Sequence, residues 1–426
     1  MQKKIKAIIL GCGDRGLIYA NYIKAHDNDV ELVGIAEPIE SRRNRIQKLH
    51  DIDDSVCVNS YEDILVMGKI ADVAIISTQD KMHFIPTMKA LELGYDVLLE
   101  KPMSPDIKEC IAMIQQAKKY DRKLVICHVL RYTPFYTQVK NILGNGDIGD
   151  IISIQHNENV GYWHHAHSFV RGHWRDSQES SPMILAKSCH DLDLIQWLVE
   201  DQCKNISSFG SLKVFHSKNA PGGAAKRCVD ACKARGNCAY DATQIYYRYL
   251  KMLTIDGNFA WPLNSLTSGN TREDVTKAIE EGPYGRCVYH CDNNVVDHQV
   301  VNLEYKNGVT VAFSMCAFTN FISRNTQIMG TLGELQCDTQ TNKIIVRKFK
   351  SNDLTEYNPT IAETGHGGGD DGIFEDFIIY VRDNIKSTSI TDAEISVASH
   401  VIALAAEESR VTEHVIAYDD FYNRNS

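Results

Sequence analysis

No apolar run in this chain approaches the roughly 20 residues that a helix needs to span a bilayer, so no transmembrane helix is expected. The opening MQKKIKAIIL runs into a strand and shows no signal-peptide cleavage pattern, so a cytoplasmic protein is expected. Positive charge is short too: 45 Lys and Arg against 55 Asp and Glu leave a formal net charge of -10. A nucleic acid or an anionic membrane needs a basic field, so neither is an expected partner and a small molecule is favoured. Paired CxxC and helical HExxH spacings are also missing. The 13 cysteines are an odd number in a cytosolic chain, which argues against a disulfide framework and for thiols, a metal or both.

What is present is an ordinary soluble composition, 43% hydrophobic and 23% charged over 426 residues, too long for a single core. Two domains are expected, 1–128 and 129–426, the second carrying a cysteine-rich insertion at about 215–295. KKIKAIILGCGDRGLIYANYIK is a strand, a glycine turn and a helix, with Gly11, Gly13 and Gly16 in GxGxxG spacing and Asp14 and Arg15 between them. In that context the glycines permit a tight turn, approach of a pyrophosphate, and helix-on-strand packing. The strand VELVGIAEP ends in Glu37, 21 residues after Gly16 (37 − 16), where a carboxylate can accept ribose hydroxyls. That favours NAD over NADP, although Arg42 and Arg43 could hold a 2′-phosphate. The strands ADVAIIST, DVLLEKP and KLVICHV alternate with helical stretches, which predicts a doubly wound parallel Rossmann sheet of α/β class. Ligands on such sheets bind at strand C-termini, so Thr78, Gln79, His83, Glu100 and Lys101 are expected at the cofactor. His83 reads equally as a helix N-terminal residue.

At LLEKP the chain resembles the Gfo/Idh/MocA family, which includes glucose–fructose oxidoreductase and the inositol dehydrogenases. The resemblance runs over nearly the whole chain and implies hydride transfer with NAD(P) at a secondary alcohol of a sugar or cyclitol. It implies that Lys101 is catalytic. A cation beside the reacting hydroxyl also favours a developing alkoxide. In MILAKSCHDLDLIQWL, His190 and Asp193 match the last two positions of the family pattern Asp-x-x-x-His-x-x-Asp; the first is Ala186, so the usual proton relay is incomplete. Lys187 and the helix N-terminus would keep the His190 imidazole neutral, as a general base requires.

After residue 150 the pattern becomes strands, with Asn307–Gly308 marking a hairpin, and predicts an α+β domain with an open, mostly antiparallel sheet. One face would meet the cofactor; the other would pair subunits into a homo-oligomer, a dimer or tetramer. HNENVGYWHHAHSFVRGHWR supplies Glu158, Tyr162, His164, His167, Arg171, Trp174 and Arg175 for a polar, aromatic carbohydrate pocket, joined by Asp193 and by His366 of TGHGGGD. A solvated loop is the plain alternative. In the insertion, Cys228, Cys232 and Cys238, followed by Cys287 and Cys291, suggest a structural zinc in a segment with little apolar core. Resemblance at RC…C…C and GPYGRCVY implies the set Cys228, Cys232, Cys238 and Cys287. Free or redox-active thiols and an iron–sulfur cluster are the alternatives.

The expected protein is an NAD-dependent sugar or cyclitol oxidoreductase. A redox-neutral glycosidase acting by transient ring oxidation is the second expectation, and a non-catalytic NAD or sugar sensor the third.

Overall fold

The computed structural model describes residues 4–254, 257–351, 353–362 and 365–426. Strand β1, Ile5–Leu10, buries all but one of its side chains because helices cover both faces of its sheet. It pairs in parallel with β2, Val30–Ala36, and with β4, Val73–Ile76. With β3 (Cys57–Val58), β5 (Asp96–Leu99) and β6 (Leu124–Ile126), these form a six-stranded parallel sheet in the order β3-β2-β1-β4-β5-β6 among the described residues. The order reverses at β1/β4, so the carboxyl ends there frame the crevice in which such sheets bind ligands.

The second sheet runs β14-β13-β12-β11-β7-β10-β9-β8-β15 among the described residues. Its strands are β7 (Ile151–Asn159), β8 (Cys203–Ser211), β9 (His298–Tyr305), β10 (Thr310–Cys316), β11 (Ser323–Gly330), β12 (Gly333–Asp338), β13 (Lys343–Lys348), β14 (Leu354–Tyr357) and β15 (Ile416–Ala417). Only β7 and β10 pair in parallel; the other neighbours are antiparallel. The β9–β10 hairpin turns at Asn307–Gly308, where Gly308 has φ +89.

Two expectations are corrected. The stretch from Tyr162 to Arg171 is helical, a short α-turn widening into a π-helix, so its histidines diverge instead of lining a loop. The segment between β8 and β9 has an apolar core of its own, in which Ile245, Tyr246, Phe259, Leu263, Val275 and Ile279 are buried.

The chain's last third returns to the first sheet. Ile126 N–H donates to the Thr391 carbonyl at 2.8 Å, Val125 bridges Asp392, and His400 Nε2 accepts from Met103 N–H at 2.8 Å. No helix among the described residues is long and apolar enough to cross a membrane.

Candidate active site

The glycine turn fits a dinucleotide. A Cβ on Gly11, whose φ is +94, would lie 2.7 Å from the Ser77 carbonyl oxygen, and one on Gly16 would lie 2.1 Å from that of Gly11. Above Gly13, by contrast, only Arg42 Nη1 lies within 4 Å of an added Cβ, at 3.9 Å, so that peptide stays open to a phosphate. Glu37 closes the end of β2. Its carboxylate accepts from Cys12 N–H at 2.7 Å and from Ile39 N–H at 2.9 Å, and lone pairs remain for ribose hydroxyls. These residues suit the adenosine half of NAD.

Other cofactor candidates have different duties. Asp14 accepts from Asn264 at 2.8 Å. The Arg15 guanidinium is held by Glu100 at 2.6 Å and by Asp370 at 2.7 and 3.0 Å, so what it leaves for a phosphate is its backbone N–H at the helix start. Tyr19 also donates to Glu100, which is buried and anchors the turn carrying Lys101. Thr78 Oγ1 donates to the Met82 carbonyl, and Gln79 is exposed. His83 is buried between the carbonyls of Pro102 and Thr78, at 2.7 and 3.1 Å, which makes it a structural residue and corrects its expected contact with cofactor.

Lys101 follows β5 and points into the second domain, where Nζ donates to the Ala186 carbonyl at 2.9 Å. A backbone oxygen thus meets the lysine at the residue where the family pattern has a carboxylate. His190 lies in the first turn of the helix Cys189–Val199, 6% exposed, with a buried Nδ1 that has no hydrogen-bond partner. Burial pushes its pKa well below the ordinary imidazole range, and the charges of Lys101, His128, His366 and Arg324 push the same way. The ring is therefore neutral at pH 7.

Two more imidazoles flank it, His128 and His366, each with ring centroids 6.0 Å away. His366 Nδ1 lies 3.0 Å from Asp370, whose carboxyl is held well below the usual range by Arg15 and His366 despite burial. His128 is buried with neither ring nitrogen bonded, and burial lowers its pKa to about 4.

The pocket arrangement departs from expectation at several residues. Lys187 turns to Glu158 at 3.2 Å. Glu158 is fully buried and also meets Arg324 at 2.8 Å; Arg324 in turn holds Asp191 at 2.7 Å, which His156 meets at 2.9 Å. Asp193 is closed off from substrate by a bidentate pair with Arg131, at 2.7 and 2.6 Å. Arg171 and His167 are buried against the insertion. The arginine donates to the carbonyls of Arg286 and Tyr240, and His167 stacks on Tyr284. Arg175 is spent on Asp292 and Glu179, and Trp174 Nε1 on Asp80 at 3.2 Å. His164 remains near Lys187, edge-on to Trp261, its pKa depressed by burial and then by that lysine. Tyr162 is half-buried, edge-on to Tyr240. His128, Arg131 and Arg324 were not anticipated. Each is a single residue whose partner lies far away in sequence, and no local motif announces it.

Cys228, Cys232, Cys238 and Cys287 line one cavity together with Arg171. Backbone bonds from Cys228 to Gly285 and from Cys287 to Lys226, at 3.0 and 2.9 Å, hold two of them side by side. Cys228 Sγ accepts from Ala242 N–H at 3.4 Å and Arg171 at 3.6 Å. As these side chains are oriented, no group of three or more His, Cys, Asp or Glu among the described residues is placed to hold a metal ion.

Residues 5–128 match the oxidoreductase family with an NAD-binding Rossmann fold, and residues 140–417 match its C-terminal alpha/beta domain. A Bacillus subtilis (strain 168) protein named as an oxidoreductase, YteT, is 22% identical over 75% of this chain and 75% of its own. The inositol 2-dehydrogenase/D-chiro-inositol 3-dehydrogenase of Lactiplantibacillus plantarum is 25% identical over 50% of this chain and 58% of its own. The 2,7-anhydro-N-acetylneuraminate hydratase of Escherichia coli (strain K12) is 26% identical over 47% and 51%. The match thus spans little more than half of the latter two. In fold, the chain is similar to an NAD binding oxidoreductase from Klebsiella pneumoniae, with a TM-score of 0.69, 14% identity, and coverage of 98% and 99%.

Proposed function

Because the chain belongs to the Gfo/Idh/MocA oxidoreductase family, we propose that it oxidises a secondary ring hydroxyl of a sugar, sugar acid or cyclitol with NAD. The observation that carries this is that Lys101 reaches the Ala186 carbonyl and its charge acts on the buried, neutral His190, whose Nδ1 is bare. NAD, when bound, supplies the hydride acceptor. Nδ1 of His190 receives the hydroxyl proton, and the two N–H groups of Lys101 not used by Ala186 hold the oxygen as negative charge develops. Glu37 favours NAD over NADP, since a 2′-phosphate there would face a carboxylate. Lys187, Arg324 and His164 offer donors to the other hydroxyls. Incubating the protein with NAD and a panel of pyranosides, uronates and cyclitols tests the reading. Substrate-dependent NADH with a keto product is expected. Bound NAD with neither NADH nor product across the panel would replace it with a sensor.

A second reading is favoured by His366. Its pairing with Asp370 beside His190 supplies a further proton-transfer group that simple dehydrogenation does not use. A redox-neutral glycosidase needs one: ring oxidation acidifies the neighbouring C–H, the aglycone leaves by elimination, water adds, and the hydride returns. Nitrophenol released from a nitrophenyl glycoside over many turnovers without net NADH would establish this reading. NADH formed mole for mole with keto-sugar would remove it.

We also propose a structural zinc in the thiol cavity, reached as the four cysteines turn about their single side-chain torsions. The support is Arg171, fully buried, with Nη1 unpartnered and no carboxylate among its hydrogen-bond partners. Four thiolates around a divalent ion carry net negative charge, and a buried guanidinium offsets it. Phe209 and Val300, paired across β8 and β9 and exposed, support subunit pairing through the sheet's outer face.

A further inference from the structure

The proposed reaction leaves the charge of the substrate open among sugar, sugar acid and cyclitol. A chain of four charged groups beside His190 bears on it. Lys187 follows the residue whose carbonyl holds Lys101 Nζ, and Asp191 follows His190, so both are anchored at the reacting groups. Glu158 on β7 and Arg324 on β11 are partners across neighbouring strands. Glu158 stands between the two cations, 3.2 Å from Lys187 Nζ and 2.8 Å from Arg324 Nη2, while Asp191 accepts from Arg324 Nε at 2.7 Å. The carboxylates of Glu158 and Asp191 are fully buried, whereas the side chains of Lys187 and Arg324 are 16% and 12% exposed. The chain therefore turns its donors outward and keeps its negative charge behind them. Arg324 is near enough to His190, and Lys187 to His164, to lower the pKa of each imidazole.

A carboxylate carried into an enclosed site loses its water and needs a cation that is not already matched. The cations here are matched. Arg324 has Asp191 and Glu158, Lys187 has Glu158, Arg131 has Asp193, and Arg175 has Asp292 and Glu179. Lys101 Nζ meets a carbonyl and no carboxylate among the described residues, and the developing alkoxide takes up its charge. A substrate carboxylate that drew Lys187 or Arg324 to itself would leave Glu158 or Asp191 buried and short of a partner. Neutral hydroxyls ask only for donors. Two N–H groups of Lys187 and Nη1 of Arg324 have no hydrogen-bond partner among the described residues.

We propose that Glu158 is a specificity-determining residue of this site: by matching Lys187 and Arg324 from behind, it leaves a wall rich in donors but balanced in charge, and so selects neutral rings against sugars that carry a carboxylate. The inference rests on the reading of this pocket as the site of sugar or cyclitol oxidation. It is independent of which ring carbon is oxidised.

The test uses matched pairs that differ only in oxidation of the exocyclic carbon: methyl glucoside with methyl glucuronide, and methyl galactoside with methyl galacturonide. Initial rates of NADH formation give kcat/KM for each, and calorimetric titration of the NAD-loaded full chain gives binding without turnover. In the wild type the neutral member of a pair should be favoured by about a hundredfold or more. Glu158→Gln leaves two cations facing one carboxylate, so the preference should shrink by about tenfold or more, chiefly through a gain for the uronide. Lys187→Gln leaves two carboxylates on one cation and should widen it. A merely damaged pocket lowers both members of a pair alike, so opposite shifts of the ratio in the two variants separate charge from structure. A uronide equal to or better than its neutral partner in the wild type, or a ratio unchanged in Glu158→Gln, would overturn the proposal. NAD binding without NADH from any sugar would overturn the oxidation reading instead, and calorimetry would still decide the preference. Tighter binding of the neutral members would uphold it, while tighter binding of the uronides, or binding of neither class, would overturn it too.

Discussion

Replacing Arg131 with methionine should weaken the loss of stability toward acid pH in this part of the molecule. Arg131 and Asp193 are both about 2% exposed and joined by two short bonds, so removing the guanidinium strands a buried carboxylate. Breaking such a pair costs about 3–5 kcal/mol. The nearest replacement cation is His128, 4.0 Å from Asp193. In the wild type, burial lowers its pKa from 6.5 to about 4, with Arg131 adding to the effect. A histidine depressed in the folded state binds its proton first when unfolded, so it subtracts stability as pH falls from 6.5 toward 4, by about 3 kcal/mol in all. Without Arg131, Asp193 draws a proton onto His128 more strongly and its folded pKa rises from there. The residue then subtracts less stability as pH falls below 6.5. Urea midpoints at pH 5 and pH 8 for wild type and Arg131→Met check this. The variant's deficit should be largest at pH 8 and shrink at pH 5, and Arg131→Met/Asp193→Leu should recover most of it at both. The other buried histidines are common to both proteins and cancel. A deficit that is equal at the two pH values, or larger at pH 5, would refute the reasoning.

Lys101→Met and His190→Gln should each lower turnover by about a hundredfold or more with NAD affinity retained, as steady-state kinetics and nucleotide titration would show. Because His190 is depressed, the acid limb of kcat should lie below pH 6.5; a limb at or above 6.5 would mean that another group titrates. Lys187→Ala should leave that limb in place, since Lys187 faces Glu158, and a shifted limb would restore it as the electrostatic partner of His190. Metal analysis of protein purified without added metal should find about one zinc per chain, lost together with stability in Cys232→Ser and Cys238→Ser. Near-zero metal in active protein would remove the site.

Features carried by consecutive residues were legible in the sequence. The GxGxxG turn and the Asn307–Gly308 hairpin follow from local backbone demands, Glu37 from its spacing to that turn, and Lys101 from its place at a strand end and from the family resemblance. Side-chain partners were not, because residue type does not name the neighbour. Arg171, Arg175, His167 and Asp193 have the chemistry of a sugar pocket, yet tertiary contacts commit them to carbonyls, carboxylates, a tyrosine and an arginine. Arg324 meets Asp191 across 133 positions, a pairing that only the sheet makes. The insertion looked poor in core because Ile245, Phe259, Leu263 and Val275 are scattered among polar residues and gather only once it folds.

The return of the chain to β6 bears on how such proteins can be recombined. Thr391 and Asp392 complete the last strand of the first sheet, and His400 fixes the turn after Lys101. A cut near residue 128 would expose the backbone groups of β6 and strip away two long helices, Gly369–Asp383 and Ala393–Thr412. A chimera that borrows its cofactor half from a relative would therefore have to borrow this distal segment as well. The two regions are separate in the gene but are inherited by the fold as one part.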